Sequence, residues 1–200
     1  MFDFFRRIII NFLQALYQPF LFALILSVFV LFFMLYLEKY DHNSFKERIK
    51  NAVRDLKNKL VSSAKYRRLF YFIFCLVMVL FKTLLNRKMW ENPVSNVMGV
   101  WGFTDKDGVF TTEIVENTVL FIPLIVFLFF FLETTSKKTT KFLKVMGMAI
   151  AISFLSSLTI EMLQLFLRLG TWQLSDLAFN TLGGIIGGFI YWVSAKIRKV

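Results

Sequence analysis

Cysteine and histidine are almost missing from these 200 residues: there is one of each, Cys75 and His42. A lone cysteine forbids an intrachain disulfide and any multi-cysteine metal site. Without a second histidine, neither a His-rich metal centre nor a Cys–His nucleophile pair can be built, so no metal and no cofactor is expected. Charge is also scarce, at 18% of residues against about 25% in ordinary globular chains, and it falls between long apolar runs. Acids are the scarcer sign: 13 Asp and Glu face 24 Lys and Arg, a net charge of +11. In a soluble protein that balance would suggest nucleic acid, but here the basic residues sit in short loops between apolar runs, and membrane topology explains them without a nucleic-acid partner. What is abundant is apolar surface: 57% of the chain, 26 Phe and a mean hydropathy of +0.62 exclude disordered, collagen-like and disulfide-scaffold classes and place the chain in a bilayer.

A hydrocarbon core about 30 Å thick needs about 20 residues of helix, and five runs approach that length: 20–37, 69–85, 118–132, 145–167 and 177–193. The third is short unless it begins a turn earlier near Val115, and Pro123 lies in its first turns. The segment before Pro19, MFDFFRRIIINFLQALYQ, lacks the small-residue cleavage site of a secretory signal and is expected as a separate helix lying in the membrane interface. The fold class that follows is all-α: a polytopic integral membrane bundle of about five transmembrane helices, with a basic amphipathic cytoplasmic helix and the interfacial N-terminal helix added. A division at residue 68 separates an N-terminal part, 1–68, from a four-helix membrane domain, 69–200.

Lys and Arg in short loops stay on the cytoplasmic side. Residues 38–68 carry ten of them against four acids and residues 133–144 four against one, whereas residues 86–117 carry three against five. The pattern fits five spans with the N-terminus outside and the C-terminus inside; Arg6 and Arg7 run against it. Residues 45–64 place Phe45, Ile49, Val53, Leu56, Leu60 and Ala64 at three- and four-residue steps, with Lys46, Lys50, Arg54, Lys57 and Lys59 on the remaining faces. This is a basic amphipathic helix, suited to rest on anionic headgroups or to serve as a solvated linker.

With that orientation every strongly polar group near a span belongs to the outer half of the membrane. Lys82 ends the second span; Glu161, Gln164 and Arg168 follow one another at helical steps on the fourth; Asn117 opens the third; Asp176 and Asn180 open the fifth. Together they predict a polar pocket open to the outside. A charge left unpaired in hydrocarbon costs at least about 2.5 kcal/mol, so Glu161 needs a partner, and Lys82 and Arg168 are the candidate cations. Two readings stand: a ligand site, or polar glue between helices worth under about 1 kcal/mol per contact. In NTLGGIIGG, Gly183 with Gly187 and Gly184 with Gly188 form two small-residue ridges, which predict close packing of the fifth span on a neighbour, most simply the fourth. Trp90, Trp101 and Trp172 fall in the outer loops, where indole anchors the interface.

The stretch IEMLQLFLRLGTWQLSDLAFNTLGGIIGG resembles the VanZ-like family of bacterial membrane proteins. The shared pattern is Glu-x-x-Gln on one span and Asp-x-x-x-Asn-Thr-x-Gly-x-x-x-Gly on the next, here Glu161, Gln164, Asp176, Asn180, Thr181, Gly183 and Gly187. The segment ENTVLFIPLIVFLFF is similar to the family's Asn-containing span with a Phe-x-Pro element, supplied by Asn117, Phe121 and Pro123. The likeness covers about residues 70–195. Many members carry an Arg and a pair of acids in the turn between the last two spans; this chain has Thr171, Trp172, Gln173 and the single acid Asp176. The resemblance implies resistance to teicoplanin-type glycopeptides exerted at the outer membrane surface. Expected partners are membrane lipids, with the antibiotic or a lipid-linked cell-wall precursor as ligand. An intramembrane enzyme acting on a lipid headgroup or peptide, with Glu161 as acid or base, is the alternative. A transporter is disfavoured because the five spans contain no internal repeat.

Overall fold

The computed structural model describes residues 2–39, 44–105, 107–135 and 141–198. Among these, six α-helices follow one another: α1 (Phe2–Lys39), α2 (Phe45–Ser62), α3 (Ala64–Leu80), α4 (Glu113–Thr135), α5 (Phe142–Leu167) and α6 (Leu174–Ile197), with a π-helical turn, Phe81–Leu85, continuing α3. Five of them, all but α2, are long and apolar enough to cross a membrane. The all-α bundle expected from the sequence is the fold. The third span does start early, at Glu113, and Pro123 lies inside α4 without ending it.

The separate interfacial N-terminal helix is not there: α1 is one unbroken helix of 38 residues, about 57 Å long and nearly twice the hydrocarbon thickness. Pro19 is buried inside it. Proline removes one backbone donor, but in an apolar helix braced by neighbours this bends or weakens the ladder without ending it. The first half of α1 is tied to the long connection 86–112. Phe4 meets Phe103 and Phe110 edge-on at 5.0 and 5.6 Å, Asn11 Nδ2 donates to Thr112 Oγ1 at 3.4 Å, and Asn86 Nδ2 donates to Gln18 Oε1 at 3.0 Å.

The helices form an arc in the order α5, α6, α4, α3, α1, with α2 folded against α1 and α3. The two glycine ridges of α6 explain its central place. A Cβ on Gly187 would stand 2.6 Å from the Ile122 carbonyl of α4, and one on Gly183 would collide with the Thr118 carbonyl. On the other side a Cβ on Gly188 would stand 2.6 Å from Ala149 Cβ of α5, and one on Gly184 would collide with Ser153. The sequence pointed both ridges chiefly at the preceding span. Instead, Gly183 and Gly187 admit α4, Gly184 and Gly188 admit α5, and α4 and α5 scarcely touch each other.

Two ends of the bundle differ. At one, Arg68, Glu133 and Arg198 meet from α3, α4 and the end of α6, with Glu133 Oε2 3.5 Å and 3.1 Å from the two guanidinium groups; this is the basic end, where α2 lies. The other, the loop end, carries residues 86–112 and 168–173.

Candidate functional site

Glu161 and Gln164 stand one turn apart on α5 and are each only 1% exposed, so the backbone and neighbouring side chains must satisfy them. Glu161 Oε2 accepts the backbone N–H of Gln173 at 2.8 Å, the residue that precedes α6. Gln164 Nε2 donates to the Thr83 carbonyl at 2.7 Å, one of the last carbonyls of the α3 extension, where helices run out of intrahelical donors. Gln164 Oε1 is buried and accepts no hydrogen bond from any described residue.

Asp176, in the first turn of α6, is gripped from two sides: Asn117 Nδ2 of α4 donates to Oδ1 at 2.8 Å, and Arg87 Nη2 lies 3.5 Å from Oδ2. The Gln173 amide that holds Glu161 lies three residues before Asp176, so the two buried acids are tied to the same start of α6. Arg87 runs its stem over Gly170, which has φ +82° and where a Cβ would sit 3.4 Å from Arg87 Cδ. One turn deeper, Asn180 Nδ2 donates to Ser157 Oγ at 2.8 Å and ties α6 to α5.

Two of the predicted partners lie elsewhere. Lys82 donates to Glu116 Oε2, not to Glu161, and Glu116 Oε1 accepts from Thr112 Oγ1 at 2.6 Å. Arg168 leaves the Glu161–Gln164 face altogether: α5 stops at Leu167, and Arg168 takes a left-handed conformation, φ 55°, with its side chain exposed. The stop is a local hydrogen-bond swap in which Leu169 N–H bonds the Gln164 carbonyl at 2.8 Å. The cation that does serve the site, Arg87, lies beyond the second span, and only its position one short step past the last apolar residue hinted at it. The contact between Glu161 and the Gln173 backbone leaves no trace in side-chain pattern.

Two connections cap this knot. Trp90 N–H bonds the Arg168 carbonyl at 2.9 Å, Gly170 N–H the Lys88 carbonyl at 3.0 Å, Trp172 N–H the Pro93 carbonyl at 2.8 Å and Leu174 N–H the Val97 carbonyl at 2.9 Å. Between these connections and the start of α4 lies a half-open polar cavity of about 240 Å³, lined among others by Arg87, Trp90, Asn96, Asp105, Glu113 and Gln173. Trp101 is exposed and packs on Phe179 at 5.6 Å. On the membrane side, an apolar groove of about 430 Å³ opens between α1, α3 and α4, lined by residues such as Leu16, Tyr71, Cys75, Met78, Leu120 and Pro123. Along α4 the steps Glu113, Glu116, Leu120, Pro123 fall on one face, so the Lys82–Glu116 pair stands between cavity and groove.

An arc of five apolar helices with acids, amides and cations drawn into a closed knot at one end defines a multi-pass membrane protein with a polar site at a single end of its bundle. The chain belongs to the VanZ/LLP1 family, whose model matches residues 20–195. No curated protein and no solved structure matches it. Glu161, Gln164, Asp176, Asn180 and Asn117, which carried the resemblance in sequence, are buried in the knot.

Proposed function

We propose that this protein lies in the bacterial cytoplasmic membrane with its loop end outside, and that it raises tolerance to teicoplanin-type glycopeptides by holding an amphiphile at the outer leaflet. The observation that carries the reading is the stacking of a polar cavity lined by Arg87, Asp105 and Glu113 over an apolar groove, with the Lys82–Glu116 pair between them. Such a site suits a molecule with a polar end and an acyl part, either a lipoglycopeptide or a lipid-linked cell-wall precursor. The excess of Lys and Arg in residues 38–68 and 133–144 supports the orientation. Arg6 and Arg7, near the start of the continuous α1, run against this charge bias.

In this reading Glu161 is a positioning residue. It fixes the start of α6 through the Gln173 amide, and so sets where Asp176 meets Arg87. The enzyme alternative asks Glu161 to exchange protons with a substrate, but a carboxyl 1% exposed and committed to a backbone donor is poorly placed to do so. The test compares teicoplanin tolerance of cells carrying the wild-type chain, Glu161→Ala or Asp176→Ala at matched membrane levels. Both variants are expected to fall to the tolerance of cells without the protein. Unchanged tolerance would overturn the reading, and a new covalent lipid or cell-wall product seen by mass spectrometry only with the wild-type chain would favour the enzyme.

A further inference from the structure

The side of α2 turned away from the bundle is divided in two. Ala52 and Leu56 are buried against α1 and α3, Arg48 lies 4.4 Å over the Tyr36 ring of α1, and Lys59 Nζ donates to Tyr66 Oη of α3 at 2.6 Å. These contacts fix the rotation of α2 about its own axis. One edge of the packed face continues into an apolar strip that the protein leaves uncovered: Phe45 is 69%, Ile49 37% and Val53 54% exposed. The next strip round the helix holds Lys46, Lys50, Arg54 and Lys57, all exposed. From buried seam to bare apolar strip to cationic strip, the order matches a membrane boundary, where acyl chains give way to phosphates.

We propose that α2 is a binding surface for anionic phospholipid, with Ile49 and Val53 seated among the acyl chains and Lys46, Lys50, Arg54 and Lys57 over the headgroup phosphates. Charge complementarity selects the occupant. Four cations on one strip, each strengthening partition onto an anionic surface by about five-fold, favour anionic over zwitterionic lipid, and a bare apolar strip beside them does not suit a solvated linker. Because α2 also grips Tyr36 and Tyr66, lipid held there braces the ends of α1 and α3 against each other. This surface is at the basic end, and the inference stands whatever the cavity at the loop end binds.

The full chain, in a Cys75→Ala background with Val53→Cys labelled by an environment-sensitive fluorophore, is placed in nanodiscs of phosphatidylcholine alone or with phosphatidylglycerol. The label is expected to report an apolar setting and quenching by spin-labelled acyl chains with phosphatidylglycerol present, while a label at Asn58→Cys reports water. Replacing Lys46, Lys50, Arg54 and Lys57 by Gln is expected to remove the dependence on phosphatidylglycerol. A Val53 label in water in both discs, or an equal response after the four substitutions, would overturn the proposal. Native mass spectrometry of the unlabelled protein gives a second reading. The chain without substitutions should retain phosphatidylglycerol at least ten-fold more than the four-Gln variant, and equal retention would refute the inference.

Discussion

Lys82 and Arg87, five residues apart, hold carboxylates from two different helices, Glu116 of α4 and Asp176 of α6. At this scale the account rests on charges that are mutually satisfied, and removing one partner is worse than removing both. Lys82→Met alone is expected to destabilise the detergent-solubilised protein by about 3 kcal/mol, and Lys82→Met with Glu116→Leu by much less; thermal melts of the two singles and the double read the coupling. Arg168 offers the opposite case. Its left-handed backbone favours glycine, so Arg168→Gly should keep or raise the melting temperature by a few degrees while Arg87→Ala lowers it. Equal losses would mean that Arg168 shares in the knot. Sequence spacing found Glu161 and Gln164 because both lie inside a regular helix. It misplaced Arg168 because the step from Gln164 assumed a further turn, and α5 ends one residue too soon. Arg87 went unread because it reaches its acid from a connection, where periodicity has no hold.

Among the elements, α6 depends on missing side chains. Gly183→Ala would push a methyl into the Thr118 carbonyl of α4, and Gly184→Ala one into Ser153 of α5. Each is expected to cost about 1–3 kcal/mol. Gly147, with nothing within 4 Å of the added carbon, gives the control, because Gly147→Ala should be neutral or stabilising by up to about 1 kcal/mol. If all three variants melt alike, the ridges are not packing surfaces. The glycine repeat was plain in the sequence, since period-four small residues have few other uses in an apolar helix. Its division between two neighbours was not, because which ridge meets which helix depends on the rotation of α6. The bounds of the later spans were legible to within a turn or so, as apolar runs stop where charges begin. The length of α1 was hidden by Pro19, which reads as a boundary in water but is absorbed within an apolar, braced helix.

For the molecule as a whole, membership of the VanZ/LLP1 family and the gathering of polar residues at one end are shown, and the proposed function adds one claim to them: that the cavity faces the exterior. Every step from Arg87 and Asp176 to an antibiotic or cell-wall precursor assumes it. Composition announced the bilayer and charge placement suggested the orientation, yet the joining of the two connections that line the cavity could not be foreseen, because backbone hydrogen bonds between residues 88–97 and 168–174 build it. The direct measurement is a set of topology reporters fused at residues 50, 105, 138 and 172, each read with one reporter active only outside the cell and one only inside. The account predicts exterior signal at 105 and 172 and interior signal at 50 and 138. Interior signal at 105 and 172 would put the cavity on the wrong side of the membrane and contradict it.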